Sequence, residues 1–308
     1  MTDLRQAHGA ARAIAAAALG RDVGPMATAE SNSHHVYVGS HAVVKIIESD
    51  GHVRLNRETA LAPHLPARLT ARLLDSGLHR LGTLDIRYAC YARAPGASPG
   101  IGLPGTDGAT ARSLARAAVR QLGLLHSWSP SGSAERILRE SPGDGGFTGQ
   151  AALFDSMENL AALDRHGTVP RRLLDGLRAI AEHAPPHARS TVPVHADCHW
   201  GNWLVDERNE ATLLDFEWAR FGEPADDWFF LARFSGPHTH IVLDAIAEAT
   251  TSSVETLRAE CEIREAAHLA SDLCLALEHP DTHARIAADR LRALDELIIG
   301  RFWWRHTR

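Results

Sequence analysis

The order of apolar and polar positions divides the chain into a strand-bearing first third and a helical remainder. The alanine-rich run from Leu4 to Leu19 predicts a helix, because alanine is the strongest helix former. Val36-Tyr37-Val38, Gly39-Ser40-His41 and Ala42 to Ile47 predict a β-hairpin, with β-branched residues flanking a glycine turn. A helix follows over Asn56 to His64 and stops at Pro63 and Pro66. Leu73–Leu78 and Thr83–Ala92 predict a second hairpin. Glycine and proline then crowd Pro95 to Gly108, which places a boundary between residues 1–94 and 95–308.

Beyond that boundary the pattern turns helical. Ala109 to Trp128 carries Leu114, Ala118, Leu122 and Leu125 at helical spacing. Ser129 to Gly149, with Gly143, Gly145 and Gly146, reads as a mobile surface loop. Helical patterns resume at about Ala151–Leu163, Arg171–His183, Thr239–Ala249, Val254–Leu277 and His283–Trp304. Between them Val192–His195, Trp203–Val205 and Ala211–Asp215 read as short strands, and no internal repeat is present.

Composition narrows the class. At 308 residues and 44% hydrophobic, the chain can bury one large core or two smaller ones. No apolar run approaches the roughly 20 residues of a membrane helix. Ala10 to Leu19 is interrupted by Arg12 and reads as a helix rather than a signal segment, so a cytoplasmic protein is expected. Cys90, Cys198, Cys261 and Cys274 show no CxxC spacing, which fits reduced thiols. Residues 1–94 carry 11 Lys/Arg against 8 Asp/Glu (+3), and residues 95–308 carry 21 against 30 (−9). That asymmetry suits an anionic ligand on the first part and a cationic one on the second. A basic run with interleaved aromatics is missing, which argues against bulk nucleic-acid binding.

Two features carry candidate chemistry. Lys45 is the one lysine of the chain and sits in the apolar run Ala42-Val43-Val44-Lys45-Ile46-Ile47. A compact ammonium and a planar guanidinium are not interchangeable where a point charge must reach a phosphate. Strand-edge lysines are ordinary, whereas kinases place a phosphate-binding lysine on their third strand. The second feature is His195-Ala196-Asp197-Cys198-His199-Trp200-Gly201-Asn202-Trp203-Leu204-Val205, followed by Leu213-Leu214-Asp215-Phe216-Glu217. An aspartate five residues before an asparagine, and a second aspartate ending the next strand, make the set that phosphoryl transfer needs. One carboxylate takes the acceptor proton, while an amide oxygen and the other carboxylate hold Mg²⁺.

On these residues the chain resembles the aminoglycoside phosphotransferase family, small-molecule kinases with a protein-kinase-like fold. The resemblance runs from about Glu30 to Phe234. It implies an α+β, two-lobed fold, with an antiparallel sheet in the small N-terminal lobe and a larger, mainly helical C-terminal lobe. It also implies Asp197 as catalytic base, Asn202 and Asp215 as Mg²⁺ ligands, Lys45 on the phosphates of ATP or GTP, and Glu58 as its partner. Asp227, in Glu217 to Asp227, would brace the catalytic loop, and Leu124-Leu125-His126 matches a short signature of the family. The nucleotide loop, Ala29 to His35, lacks G-x-G-x-x-G, so Ser31 and Asn32 are the expected phosphate caps. The hinge Ala89 to Arg93 offers Cys90 to Ala92 to the base. Ala196 replaces the usual glycine, which an ordinary negative φ would tolerate.

The acceptor implied is a small hydroxylated molecule, cationic in the aminoglycoside case. Glu262, Glu265 and Asp272 are candidates to meet it. Amino sugars, choline, homoserine and nucleoside antibiotics are alternatives of the same class. His195-x-Asp197-x-His199 also admits a metallohydrolase, a reading that leaves Lys45 unused. A kinase-like module without chemistry is the remaining alternative, against which all four chemical positions are present. Phe302-Trp303-Trp304-Arg305 is expected to be a packed helix end.

Overall fold

The computed structural model describes residues 4–31, 34–48, 53–82, 84–140, 146–189 and 191–305. The first part contains α1 (Leu4–Leu19), β1 (Ala27–Ala29), β2 (His35–Val38), β3 (Ala42–Glu48), α2 (Arg54–Leu61), β4 (Leu73–Leu81) and β5 (Leu84–Ala92). The strands form one antiparallel sheet in the order β1-β2-β3-β5-β4. Side chains alternate across a strand, and β3 uses both faces. Val44 and Ile46 join Tyr37, Ile86 and Cys90 under α1, packed on Ala7, Ala11 and Ile14. Ile47 turns to the other face, with Ala89, Tyr91 and Leu55 of α2. Lys45 pairs in register with Val36 and Ala89 on that second face.

The remainder is mainly helical: α3 (Gly108–His126), α4 (Ser133–Arg139), α5 (Gln150–Leu163), α6 (Arg171–Glu182), α7 (Pro224–Arg233), α8 (Thr239–Thr250), α9 (Val254–Glu278) and α10 (Pro280–Ile298). Between α6 and α7 lie β6 (Val192–Val194), β7 (Trp203–Val205), β8 (Ala211–Leu213) and β9 (Arg220–Gly222). They form two antiparallel ribbons, β6 with β9 and β7 with β8. Asp107 caps α3 by accepting the Thr110 N–H at 2.8 Å. The core of this part packs α3, α5, α7, α8 and α9 around Trp200, Trp203, Phe216 and Trp228. Among the described residues no helix is long and apolar enough to cross a membrane.

Two expectations need correction. The segment Ser129 to Gly149 is not a bare loop, because Ser133–Arg139 forms α4 with Ala134 and Leu138 buried; residues 141–145, including Gly143 and Gly145, lie outside the described residues. The last helix ends at Ile298 rather than Trp304. Arg301 adopts a left-handed φ of 47°, and Phe302–Trp304 forms a separate 3-10 turn. The packed end itself is present, since Trp303 is buried and donates from Nε1 to Glu265 at 2.7 Å.

The connection between the two parts passes through Gly96, which has a φ of +95° and lies against β7. A Cβ on Gly96 would stand 2.4 Å from the Val205 carbonyl oxygen, beside the Ala97–Val205 bridge. Neither backbone can give way without loss of that bridge. Gly96→Ala should therefore destabilise the protein by about 2 kcal/mol or more, read as a lowered midpoint in urea. An unchanged midpoint would show that the crossing is not tightly packed.

Candidate active site

Lys45 projects from β3 into a cleft of about 700 Å³ between the sheet and the helical part. Its Nζ lies 2.8 and 3.0 Å from the Glu58 carboxylate oxygens and 3.0 Å from Asp215 Oδ1. Burial works against the ammonium, but Glu58 and Asp215 outweigh it and hold Lys45 above its ordinary pKa. Asp215 is likewise pushed up by burial, yet the nearby Lys45 charge and hydrogen bond bring it below its ordinary value. A sheet strand, a helix of the first part and the end of β8 thus share one charge cluster.

Asp197 and Asn202 meet this cluster from the loop between β6 and β7. Asn202 Nδ2 donates to the Asp197 main-chain oxygen at 2.8 Å and to its carboxylate at 3.2 Å. This orientation leaves Asn202 Oδ1 as its oxygen ligand. The Leu214 N–H donates to the Asn202 carbonyl at 2.8 Å, which sets Asn202 beside the strand end that carries Asp215. Burial, then the like charge of Asp215, pushes the Asp197 carboxyl up to about 7. The oxygen donors of Asn202 and Asp215 fit a hard divalent cation such as Mg²⁺. Lys45, Glu58, Asp197, Asn202 and Asp215 all line the one cleft.

The loop is held from behind by Asp227 of α7. Its fully buried carboxylate accepts the N–H groups of His195 (3.1 Å) and Ala196 (2.8 Å) and pairs with His126 Nε2 at 2.8 Å. His195 Nε2 donates to the Leu214 carbonyl at 2.8 Å, and its Nδ1 accepts from the Asp197 N–H at 3.2 Å. His199 Nδ1 accepts the Gly201 N–H at 3.1 Å. Both histidines brace backbone. Cys198 and Trp203 have the same role, since Cys198 Sγ donates to the Asp227 carbonyl and Trp203 Nε1 to the Cys198 carbonyl, while Trp200 Nε1 donates to the Ser235 hydroxyl.

Other sequence expectations fare differently. Ala196 does not take an ordinary negative φ; it sits at +61°, in the left-handed region that its glycine counterpart would enter without strain. Cys90 faces the α1 core and its backbone lies in the ladder between Val44 and Asp75, so it does not line the cleft. Tyr91, Ala92, Arg93 and Ala94 do, although the N–H groups of Ala92 and Arg93 already donate to Arg72 and His41. Ser31 lines the cleft and accepts the His34 N–H at 3.4 Å, whereas Asn32 lies outside the described residues. Glu265 is not open to a ligand, being buried against Arg233 and Trp303, and Asp272 pairs with Arg290.

Sequence reasoning missed the residues that surround Glu217. Its buried carboxylate lies 2.8 Å from His34 of the nucleotide loop and within 4.8 Å of donor atoms of Glu58 and Asp215. Arg54 stacks on Trp218 at 4.6 Å, and Arg57 donates to the Ala219 carbonyl at 2.7 Å. The proximity of Arg57 to Glu58 in sequence was visible, but its reach across the cleft was not.

Residues 27–263 match the model of the phosphotransferase enzyme family APH, and the chain belongs to that family. No curated protein matches it by sequence. Its fold is that of known phosphotransferase structures. A mutant aminoglycoside 2'-phosphotransferase-IIIa in its GDP complex aligns with TM-score 0.68 at 17% identity, covering 91% of this chain and 93% of that one. Macrolide 2'-phosphotransferase MphH from Brachybacterium faecium aligns with TM-score 0.62 at 21% identity, over 91% and 97%. A thermostable mutant of APH(4)-Ia, in ternary complex with AMP-PNP and hygromycin B, aligns with TM-score 0.58 at 17% identity, over 92% and 96%. The sheet-plus-helices architecture is thus the protein-kinase-like fold expected from the motifs.

Two outcomes follow from the brace. Ala196→Gly should raise stability by up to about 1 kcal/mol, as relief of the left-handed strain exceeds the added chain entropy; a lowered melting temperature would refute the strain. Burial raises Asp227, but its bond to His126 and the other loop contacts hold it below the ordinary 3.8. Its contribution is therefore present above that value and lost as pH falls through the depressed folded one. Asp227→Asn should lower stability by about 3 kcal/mol at neutral pH and lessen its decline in acid, measured as urea midpoints across pH. Parallel wild-type and variant curves would exclude Asp227 as the acid-sensitive group.

Proposed function

We propose that the chain transfers the terminal phosphoryl group of ATP or GTP to a hydroxyl of a small polar molecule, most readily an antibiotic, inactivating it in the cytoplasm. The supporting observation is the convergence of Lys45, Asp197, Asn202 and Asp215, distant in sequence, on a single cleft. Residues 1–94 would form the nucleotide lobe and residues 95–308 the catalytic and acceptor lobe. The base would lie along Tyr91 to Ala94, with Ser31 over the phosphates. Lys45 would carry the α- and β-phosphates, held in line by Glu58. Bound to Asn202 and Asp215, Mg²⁺ would supply neutralisation of the phosphate oxygens. Asp197 would orient the acceptor hydroxyl and take its proton; a carboxyl near 7 is a competent base at neutral pH. The transition state is loose, so positioning and charge neutralisation carry most of the rate.

The acceptor is where the structure bends the first expectation. A polycation needs unpaired carboxylates, yet Glu265 and Asp272 are each held by an arginine, and so are Glu223, Asp226 and Glu260, all three on Arg264. Aromatic rings instead lead away from the Asp197 loop along α7 and α9, half-buried. His199 contacts Phe234, Phe234 stacks on Phe230, and Phe230 meets His268 at 5.3 Å. We therefore favour an acceptor with a broad apolar face beside its hydroxyl, of the macrolide kind, over a fully cationic aminoglycoside. Amino sugars, choline and homoserine are smaller alternatives, and an inactive nucleotide-binding module is the alternative of another class.

A coupled ADP- and GDP-release screen over macrolides, aminoglycosides, nucleoside antibiotics and amino sugars tests the reading, with product mass showing the added phosphate. Asp197→Ala should cut turnover by about a thousandfold while nucleotide affinity stays within a few-fold. Near-wild-type turnover in that variant would remove Asp197 from the mechanism. Mg²⁺-dependent nucleotide binding with no product from any acceptor would favour the inactive module.

A further inference from the structure

A second cavity, of about 620 Å³, opens on the helical part away from the Lys45 cleft, between α3, α7 and α8. Its lining divides by chemistry. Val119, Trp228, Ala245 and Ala249 form an apolar body, and Arg116 and Arg120 stand one turn apart on α3. The volume falls within the range of small-molecule sites, which join an apolar lining to a few placed polar groups.

Charge and open valence select the occupant. Arg112 and Arg116 both reach Glu248, and Arg112 also approaches Asp244 at 3.7 Å. Arg120, one turn on, is exposed and has no hydrogen bond or ion pair among the described residues. Three guanidinium groups against two carboxylates leave a single positive charge at the rim. His126 is the group that links the cavity to the Asp197 loop. Its side chain is 10% exposed, it lies edge-on to Trp228 at 5.1 Å, and it lines the cavity. Nε2 is taken by Asp227, while Nδ1 has no protein partner among the described residues.

Gly123 supports the same conclusion. It lies inside α3, where glycine costs about 1 kcal/mol relative to alanine. Its backbone is not left-handed, and a Cβ built on it meets nothing within 4 Å. Protein packing does not demand the missing side chain, but its absence keeps the cavity open.

We propose that this cavity binds a small amphipathic monoanion, a carboxylate on an aromatic or aliphatic body, and that the bound molecule is felt at the Asp197 loop through His126 and Asp227. The apolar body would lie on Trp228 and Val119, with the carboxylate between Arg120 and the cavity mouth. The route inward is short, since Asp227 Oδ2, which meets His126, also accepts the His195 N–H, and Oδ1 of the same carboxylate accepts the Ala196 N–H.

Calorimetric titration of the full chain with 2-naphthoate, and with the neutral 2-naphthamide, tests binding. One saturable site is expected, with the amide at least about tenfold weaker. Gly123→Leu should occupy part of the cavity and weaken binding by about tenfold or more while preserving or raising the melting temperature. Arg120→Glu, on an exposed helix face, should weaken naphthoate by about tenfold or more and leave the amide unchanged. Failure of wild type to bind at millimolar naphthoate, or equal binding by either variant, would overturn the site. Equal affinity for the amide would overturn the anion requirement. Saturation should also change hydrogen exchange at the His195 and Ala196 amides several-fold, and unchanged exchange would refute the coupling. These measurements need no turnover, so they stand apart from the phosphotransfer reading.

Discussion

The ammonium of Lys45 is the interaction on which the site depends. It bridges the Glu58 carboxylate of α2 and Asp215 at the end of β8, at 2.8 and 3.0 Å. Without it, Glu58, Asp215 and Glu217 would crowd donor oxygens within 4.8 Å of one another in a buried place. Like charges at that separation, out of water, cannot all remain ionised. The lysine therefore has two consequences. It keeps Asp215 a carboxylate, and it registers the first-part sheet against the segment after β8 that carries Asp215. An arginine would bring a broader, planar head to a point contact between two carboxylates. This accounts physically for one lysine in a chain whose other cations are arginines.

Behind the cleft the same logic recurs with the signs exchanged. Asp227 is a fully buried anion, satisfied by two backbone N–H groups and His126. Arg264 is a buried cation that Glu223, Asp226 and Glu260 surround. Removing one partner of such a group leaves an uncompensated buried charge, which costs far more than the contact contributes when intact. Asp227 fixes the loop that presents Asp197, and Arg264 ties α9 to the start of α7. Together they tie α7 to the Asp197 loop on one side and to α9 on the other.

Much of this was legible in the chain, for reasons that can be named. Lys45 was visible as a lone charge inside an apolar strand, and Asp197, Asn202 and Asp215 as polar groups that flank short apolar strands. Asp227 and His126 were visible by resemblance, although nothing in either segment says that they touch. Cys90 was misplaced because Ala89, Cys90, Tyr91 and Ala92 are apolar on both faces, so alternation gives no sign of which side meets the cleft. Ala196 was misread because φ is not written in a side chain that lacks the usual glycine. The seven residues of α4 were hidden by flanking glycines and prolines, and their stability comes from burying Ala134 and Leu138 in the core of the helical part rather than from propensity. The acidic second part suggested a cationic ligand, but net charge does not reveal pairing. Arg233 lies 32 positions from Glu265, and only the fold brings them together.

That pairing also separates the roles of the two cavities. In the Lys45 cleft the carboxylates stay partly open toward the space a polyanion and its cation would share, so the wall charge is adjustable by what binds. In the α3, α7 and α8 cavity the balance is tipped the other way, with Arg120 unmatched and no carboxylate among the lining residues. The two spaces present opposite demands and would not compete for one ligand. They are nevertheless joined by a single side chain's width, because His126 faces one and Asp227, which it holds, fixes the backbone of the other. One carboxylate thus meets both the His126 ring and the N–H of Ala196, whose backbone is left-handed. Strain of this kind persists only where the surroundings over-determine it, so the geometry of the Asp197 loop is set from behind as much as from within the cleft.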